Sequence, residues 1–131
     1  MNDAMTPKNE LEQRIQAVLN DEISNEDFMR ALQTSQVFMP VADDTQIKNF
    51  QRSNKIEPLL VEVEDGSKVL ILFSSPDRGK AFLADYPGYK GGLLVEFAWV
   101  LLNVEGEYGI AINPGWDLGV DLEPQMVQRL N

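Results

Sequence analysis

Five consecutive apolar residues, Val69 to Phe73, run directly into Ser74-Ser75-Pro76-Asp77-Arg78, and this pattern predicts a buried central strand followed by a helix start. Upstream, Leu11, Ile15, Val18 and Leu19 recur at helical spacing among Glu10, Glu12, Gln13, Arg14 and Gln16, so the chain opens with an amphipathic helix, for which Thr6-Pro7 reads as N-cap and first-turn proline. Asn20-Asp21 breaks it. Ser24, with Asp27 three residues on, resembles a capping box and starts a second helix burying Phe28, Ala31 and Leu32. Val37 to Val41 is β-branched and aromatic, hence a strand, and Pro40 lacks the donor a central strand needs, which places it at an edge. From Ala42 to Ile56 the only large apolar residues are Ile47 and Phe50, the pattern of a long loop or a short irregular helix.

Leu59 to Glu64 and Ser67 to Phe73 flank Asp65-Gly66, a hairpin signal; a two-residue turn sets Val61 opposite Leu70 and Leu59 opposite Leu72. Val69, Ile71 and Phe73 occupy the other face, and each forgoes roughly 1.5 to 3 kcal/mol if left in water, so both faces are expected to be covered. Ser75 is expected to cap the next helix, Ala81, Phe82 and Tyr86 to give its apolar face, and Pro87-Gly88 to stop it. Leu93 to Val104 is almost continuously apolar. Glu96 and Asn103 share a face only if it is helical, so a buried helix is expected with an extended lead-in at Gly92 to Val95. Tyr108 to Ile112 then reads as a strand, Asn113-Pro114-Gly115-Trp116 as a type II turn, and the alternating Leu118, Val120 and Leu122 as a last strand. Pro124 opens a closing helix with Met126, Val127 and Leu130 as its contacts.

These elements define an α+β or α/β fold: a single mixed β-sheet with a central hairpin, packed by helices, behind an N-terminal helical pair. Residues 1–24 read as an N-terminal helical extension and 25–131 as the α/β domain. A length of 131 residues suits one domain, and the chain has no cysteine and no histidine. That removes disulfides, thiolate zinc sites, cysteine nucleophiles and the usual general base together. With 21 acidic against 11 basic side chains, the formal charge of -10 argues against nucleic acid and anionic membranes as partners. Met1 to Pro7 has no signal-peptide character, and the Leu93–Val104 run falls short of the roughly 20 residues that span a bilayer. The expected location is the cytoplasm.

Three constellations carry candidate chemistry. Ser74 and Ser75, at a strand-to-helix junction with Arg78 and Lys80 nearby, suit a small anionic or amino-acid-like ligand, although capping is the plainer role for a serine before proline. Asp117, Asp121 and Glu123 lack calcium-loop spacing and read as a solvated strand face, so no metal or cofactor is expected. Trp116 at a turn is either folded back over the sheet end or the centre of a recognition patch with Pro114, Gly115 and Tyr89, rimmed by Asn113 and Asp117. With no histidine or Ser-x-x-Lys pair to activate a serine, the expectation is no enzyme but a protein-interaction or regulatory module, monomeric or weakly dimeric through the Val37–Val41 edge.

The Val-Phe-Met-Pro-Val strand, the Leu-Phe-Ser-Ser strand end before a helix, and Gly-Ile-Ala-Ile-Asn-Pro-Gly together resemble the SseB-type N-terminal domain, the family named for enhanced serine sensitivity. That family usually has Phe-Thr-Ser where this chain has Phe73-Ser74-Ser75, and the similarity covers roughly residues 25 to 131. The resemblance implies a bacterial α/β domain with no established catalytic site, discussed mainly in terms of protein interaction.

Overall fold

The computed structural model describes residues 6–42, 57–104 and 106–130. The elements run α1 (Glu10–Leu19), α2 (Asn25–Leu32), β1 (Gln36–Val41), β2 (Leu60–Glu62), β3 (Lys68–Leu72), α3 (Pro76–Leu83), β4 (Gly91–Glu96), α4 (Phe97–Asn103), β5 (Gly109–Ile112), β6 (Val120–Leu122) and α5 (Pro124–Arg129). An N-terminal helical pair and a mixed sheet are as expected, but the strands divide into two sheets where a single one was expected. Four strands pair in the order β2-β3-β5-β6, with β3 and β5 parallel and the outer pairs antiparallel. β1 and β4 form a separate antiparallel ribbon. Besides an isolated bridge of Val41 with Pro58, the ribbon joins the larger sheet where Phe38 and Phe73 exchange backbone hydrogen bonds of 2.7 and 2.9 Å.

That bridge revises the place of β1. Beyond Phe38, the Pro40 carbonyl accepts from Leu59 and the Ala42 amide donates to the Glu57 carbonyl. β1 therefore lies between β4 and the Phe73/Leu59 side instead of at an open edge. Pro40 faces the sparsely bonded side, where its missing N–H breaks no ladder.

β3 is central and covered on both faces. Leu70 and Leu72 enter a core with Leu11 and Ile15 of α1, Phe28 and Leu32 of α2, Phe97 and Val100 of α4, and Val127 of α5. Ile71 and Phe73 pack on the other face with Leu59 and Ala111, against Phe82 of α3. Gly79 lets α3 lie close: a Cβ there would sit 2.9 Å from the Phe73 ring.

Several local expectations are corrected. The hairpin register is Leu60 opposite Leu70 and Val61 opposite Val69, one residue from the expected pairing. Gly66 donates to the Val63 carbonyl and takes φ +90°, which makes a three-residue loop of type I turn plus left-handed glycine. Because strand side chains alternate, the slip moves Leu59 and Val61 to the Ile71/Phe73 face. The N-cap of α1 is Asn9, not Thr6; Asn9 Oδ1 accepts from the Glu12 amide at 2.9 Å. Ser24 does cap α2, accepting from Asp27 N–H. Ser75 holds the N-cap position of α3 with no side-chain cap bond, and Ala81 is exposed. The apolar run from Leu93 does have the expected extended lead-in, β4, whose exposure alternates, and the helix that follows it, α4, is short. The stretch expected to be loop, 42–56, lies outside the described residues from Asp43 onward.

Candidate functional site

β3 and β5 are parallel and in register, Leu72 beside Ile112, so Ser74 and Asn113 leave the sheet together at its carboxyl end. In open α/β sheets that end is where ligands commonly bind. Asn113 continues the ladder: its amide donates to the Leu72 carbonyl at 2.9 Å, and its Oδ1 accepts from the Ser74 amide at 2.8 Å. Its Nδ2 donates to Ser74 Oγ at 2.9 Å and to the Leu118 carbonyl at 3.0 Å, so the amide is fully used. To reach this position Asn113 adopts φ +59°, a left-handed conformation that asparagine tolerates better than most residues. The expected type II turn follows, with Gly115 at φ +89° and Trp116 N–H donating to the Asn113 carbonyl at 3.1 Å.

α1 closes this end. Asn9 Nδ2 donates to the Ser74 carbonyl at 3.0 Å, and Glu12, three residues along, brings its carboxylate into the interior with no exposed surface. Both oxygens of Glu12 meet the side-on fork of Arg78, Nε to Oε2 at 2.7 Å and Nη2 to Oε1 at 2.9 Å. Ser74 Oγ donates to Oε2, and the Lys8 amide donates to Oε1 at 2.8 Å. Arg78 Nη2 also donates to the Thr6 carbonyl at 3.1 Å. The Trp116 ring lies under the guanidinium, 4.6 Å from Cζ to the ring centroid, while its Nε1 donates to the Arg78 carbonyl at 2.7 Å.

Burial pushes the Glu12 carboxyl upward, but the hydrogen bonds from Arg78, Ser74 and Lys8 and the charge of Arg78 outweigh it and bring its pKa down to about 2. The Glu12 hydrogen bonds in turn raise Arg78 further, against its desolvation. An ionised pair results, with each partner's buried valences filled. The chemistry open to it is limited. A carboxylate of that pKa, clamped on both oxygens, is a poor base for Ser74 at neutral pH.

Ser74, Arg78, Asn113 and Trp116 thus come together, across what the sequence treated as two separate sites. Asn113 is fully buried, so it forms the interior of the turn and not its rim. Trp116 is half-buried, as the folding-back alternative has it; Pro114 is half-buried and Gly115 and Asp117 are exposed. Tyr89 packs in the cluster of Ile71 and Phe73. Lys80 points outward and pairs with Asp77 at 3.7 Å, and Ser75 adds no cap bond. Sequence reasoning missed Glu12, Asn9 and Thr6. Asn9-x-x-Glu12 is itself a capping-box pattern, a signal that was present, although Glu12 reaches Lys8 N–H instead of the cap residue's own. Among the described residues, no three acidic side chains gather as a metal site, and no helix is long and apolar enough to cross a membrane.

A mixed sheet flanked by helices, with a buried polar hub at the end of its parallel pair, defines an α+β domain of the kind the sequence resembles. The family model described as SseB protein N-terminal domain matches residues 11–129, and the chain belongs to this family. The match takes in α1 from Leu11 onward, including Glu12. Neither a curated protein nor a solved structure matches the chain.

Proposed function

We propose that this domain is a non-catalytic, cytoplasmic protein-interaction or regulatory module that presents the Pro114–Asp117 turn to a protein partner. The observation that supports this reading is the anchoring of the turn: Trp116 is held by Nε1 to the Arg78 carbonyl and by its stacking on the guanidinium, while Gly115 and Asp117 remain exposed. A surface fixed before binding loses little freedom on association. The alternative, a small anionic or amino-acid-like ligand at Ser74-Ser75, must compete with the chain's own Glu12 carboxylate for Arg78 and Ser74.

Trp116→Ala is an ambiguous probe, because it also uncovers Arg78. Asp117→Lys alters the surface alone. Affinity capture from host lysate with wild-type and Asp117→Lys protein tests the reading: a partner retained by the first and lost by the second supports it. Identical sets of captured proteins would remove the turn as an interface.

A further inference from the structure

A second surface lies on the far side of α1. The C-terminal end of α1, α2, β6 and α5 enclose a shallow groove of about 270 Å³, lined by Val18, Leu19, Met29, Val120 and Met126 over a floor of Phe28. That volume lies just under the range of roughly 300 to 1,000 Å³ typical of small-molecule pockets. Leu19 remains 49 % exposed at the lip, although it ends a helix whose other apolar residues pack inward. Two of the lining residues are methionines, whose unbranched thioether chains adapt to different apolar shapes.

The charge around the groove is one-sided. Asp121 lines it, and Asp21, Glu22, Glu26 and Glu123 are exposed on the segments that lead into it. Against them stand Arg129 and Arg30, the latter paired with Asp27 at 3.2 Å. An apolar slot with Asp121 in its wall and exposed carboxylates on the adjoining segments complements a segment with one large apolar side chain between lysines or arginines; an acidic segment would be repelled.

We propose that this groove docks a basic peptide segment of a partner protein, with one aliphatic or aromatic side chain seated between Leu19, Met29 and Met126. The proposal rests on the interaction reading but assigns it a face separate from the Pro114–Asp117 turn. The affinity of a single anchor is modest, and the carboxylates of the wall and adjoining segments make it fall with ionic strength.

The test is a titration of the full chain, ¹³C-labelled at methionine methyls, with a synthetic peptide carrying one leucine flanked on both sides by lysines. Saturable shifts at Met29 and Met126, with core-buried Met39 unmoved, are expected. Affinity should fall at least about tenfold when serine replaces the peptide leucine or in Leu19→Asn, and should also weaken in Glu26→Lys. Leu19 and Glu26 are exposed, so both variants keep the fold. Asp117→Lys leaves this binding unchanged, so failure of the turn and failure of the groove are read separately. Absence of saturable shifts, or shifts insensitive to the peptide leucine and to both variants, would overturn the proposal.

Discussion

Arg78 and Glu12, 66 residues apart in sequence, meet through a two-pronged ion pair from which solvent is almost wholly excluded. The pair ties the N-terminal helix to the carboxyl end of the central strands. Removing one partner leaves the other charge buried and uncompensated, at a cost of about 3 to 5 kcal/mol against a total domain stability of about 5 to 15. Urea denaturation of Glu12→Gln should show a loss of this size. Glu12→Leu combined with Arg78→Met should be less destabilised than Glu12→Gln, since an apolar pair leaves no buried charge. A double variant at least as unstable as the single one would contradict this.

The same pair sets an acid limit. The Glu12 carboxyl titrates at about 2 in the folded chain against an ordinary 4.5, so it binds a proton less readily folded than unfolded. Its contribution is complete above pH 4.5 and is lost as pH falls from there towards 2. At about 1.4 kcal/mol per pKa unit it amounts to about 3 kcal/mol. The stability difference between wild type and Glu12→Gln, measured by urea unfolding across pH, should be constant above pH 5 and close below about pH 4.5. A difference that persists to pH 2 would show that the ionised pair is not its source.

Asn113 combines an uncommon backbone conformation with a fully used side chain. Asn113→Ala loses the bonds to Ser74 and Leu118 and strains the backbone, at about 2 to 4 kcal/mol; Asn113→Gly loses the same bonds but recovers about 1 kcal/mol of the conformational cost. Thermal unfolding should therefore rank wild type above glycine and glycine above alanine. Gly119 is a second test nearby: a Cβ there would lie 2.6 Å from the Asn113 carbonyl oxygen and 2.9 Å from that of Ile112, so Gly119→Ala should be strongly destabilising.

The two serines at helix starts should differ. Ser24 Oγ accepts from Asp27 N–H at 3.0 Å, whereas Ser75 makes no cap bond. Ser24→Ala should cost about 1 kcal/mol and Ser75→Ala less than about 0.5. Equal losses in denaturant midpoints would reverse the assignment.

The strand-and-turn skeleton was legible because local signals agree with it: the Val69–Phe73 run, the Pro114-Gly115 turn and the Ser24 cap all appear where the residues place them. Where distant partners decide, the sequence alone misleads. The lead-in expected to be extended at Gly92 to Val95 is the strand β4, but its ladder partner, β1, leaves no mark in the Leu93–Val104 run. The hairpin slips by one residue because Val61 and Leu59 are needed beside Ile71 and Phe73. Ser74, Arg78, Asn113 and Trp116 were each recognisable as chemically notable. Their convergence, and the buried role of Glu12, follow from the parallel pairing of β3 with β5 and the docking of α1, neither of which leaves a local mark.

Glu12 already takes the Arg78 and Ser74 donors that an external anion would need there. The most direct test of this occupancy is thermal unfolding of wild type and Glu12→Ala with increasing formate or acetate at constant ionic strength. Glu12→Ala, whose missing carboxylate leaves Arg78 unpaired, should gain melting temperature saturably as the anion replaces it, while wild type stays flat. Equal, saturable stabilisation of wild type would show the site open to ligands and contradict the account.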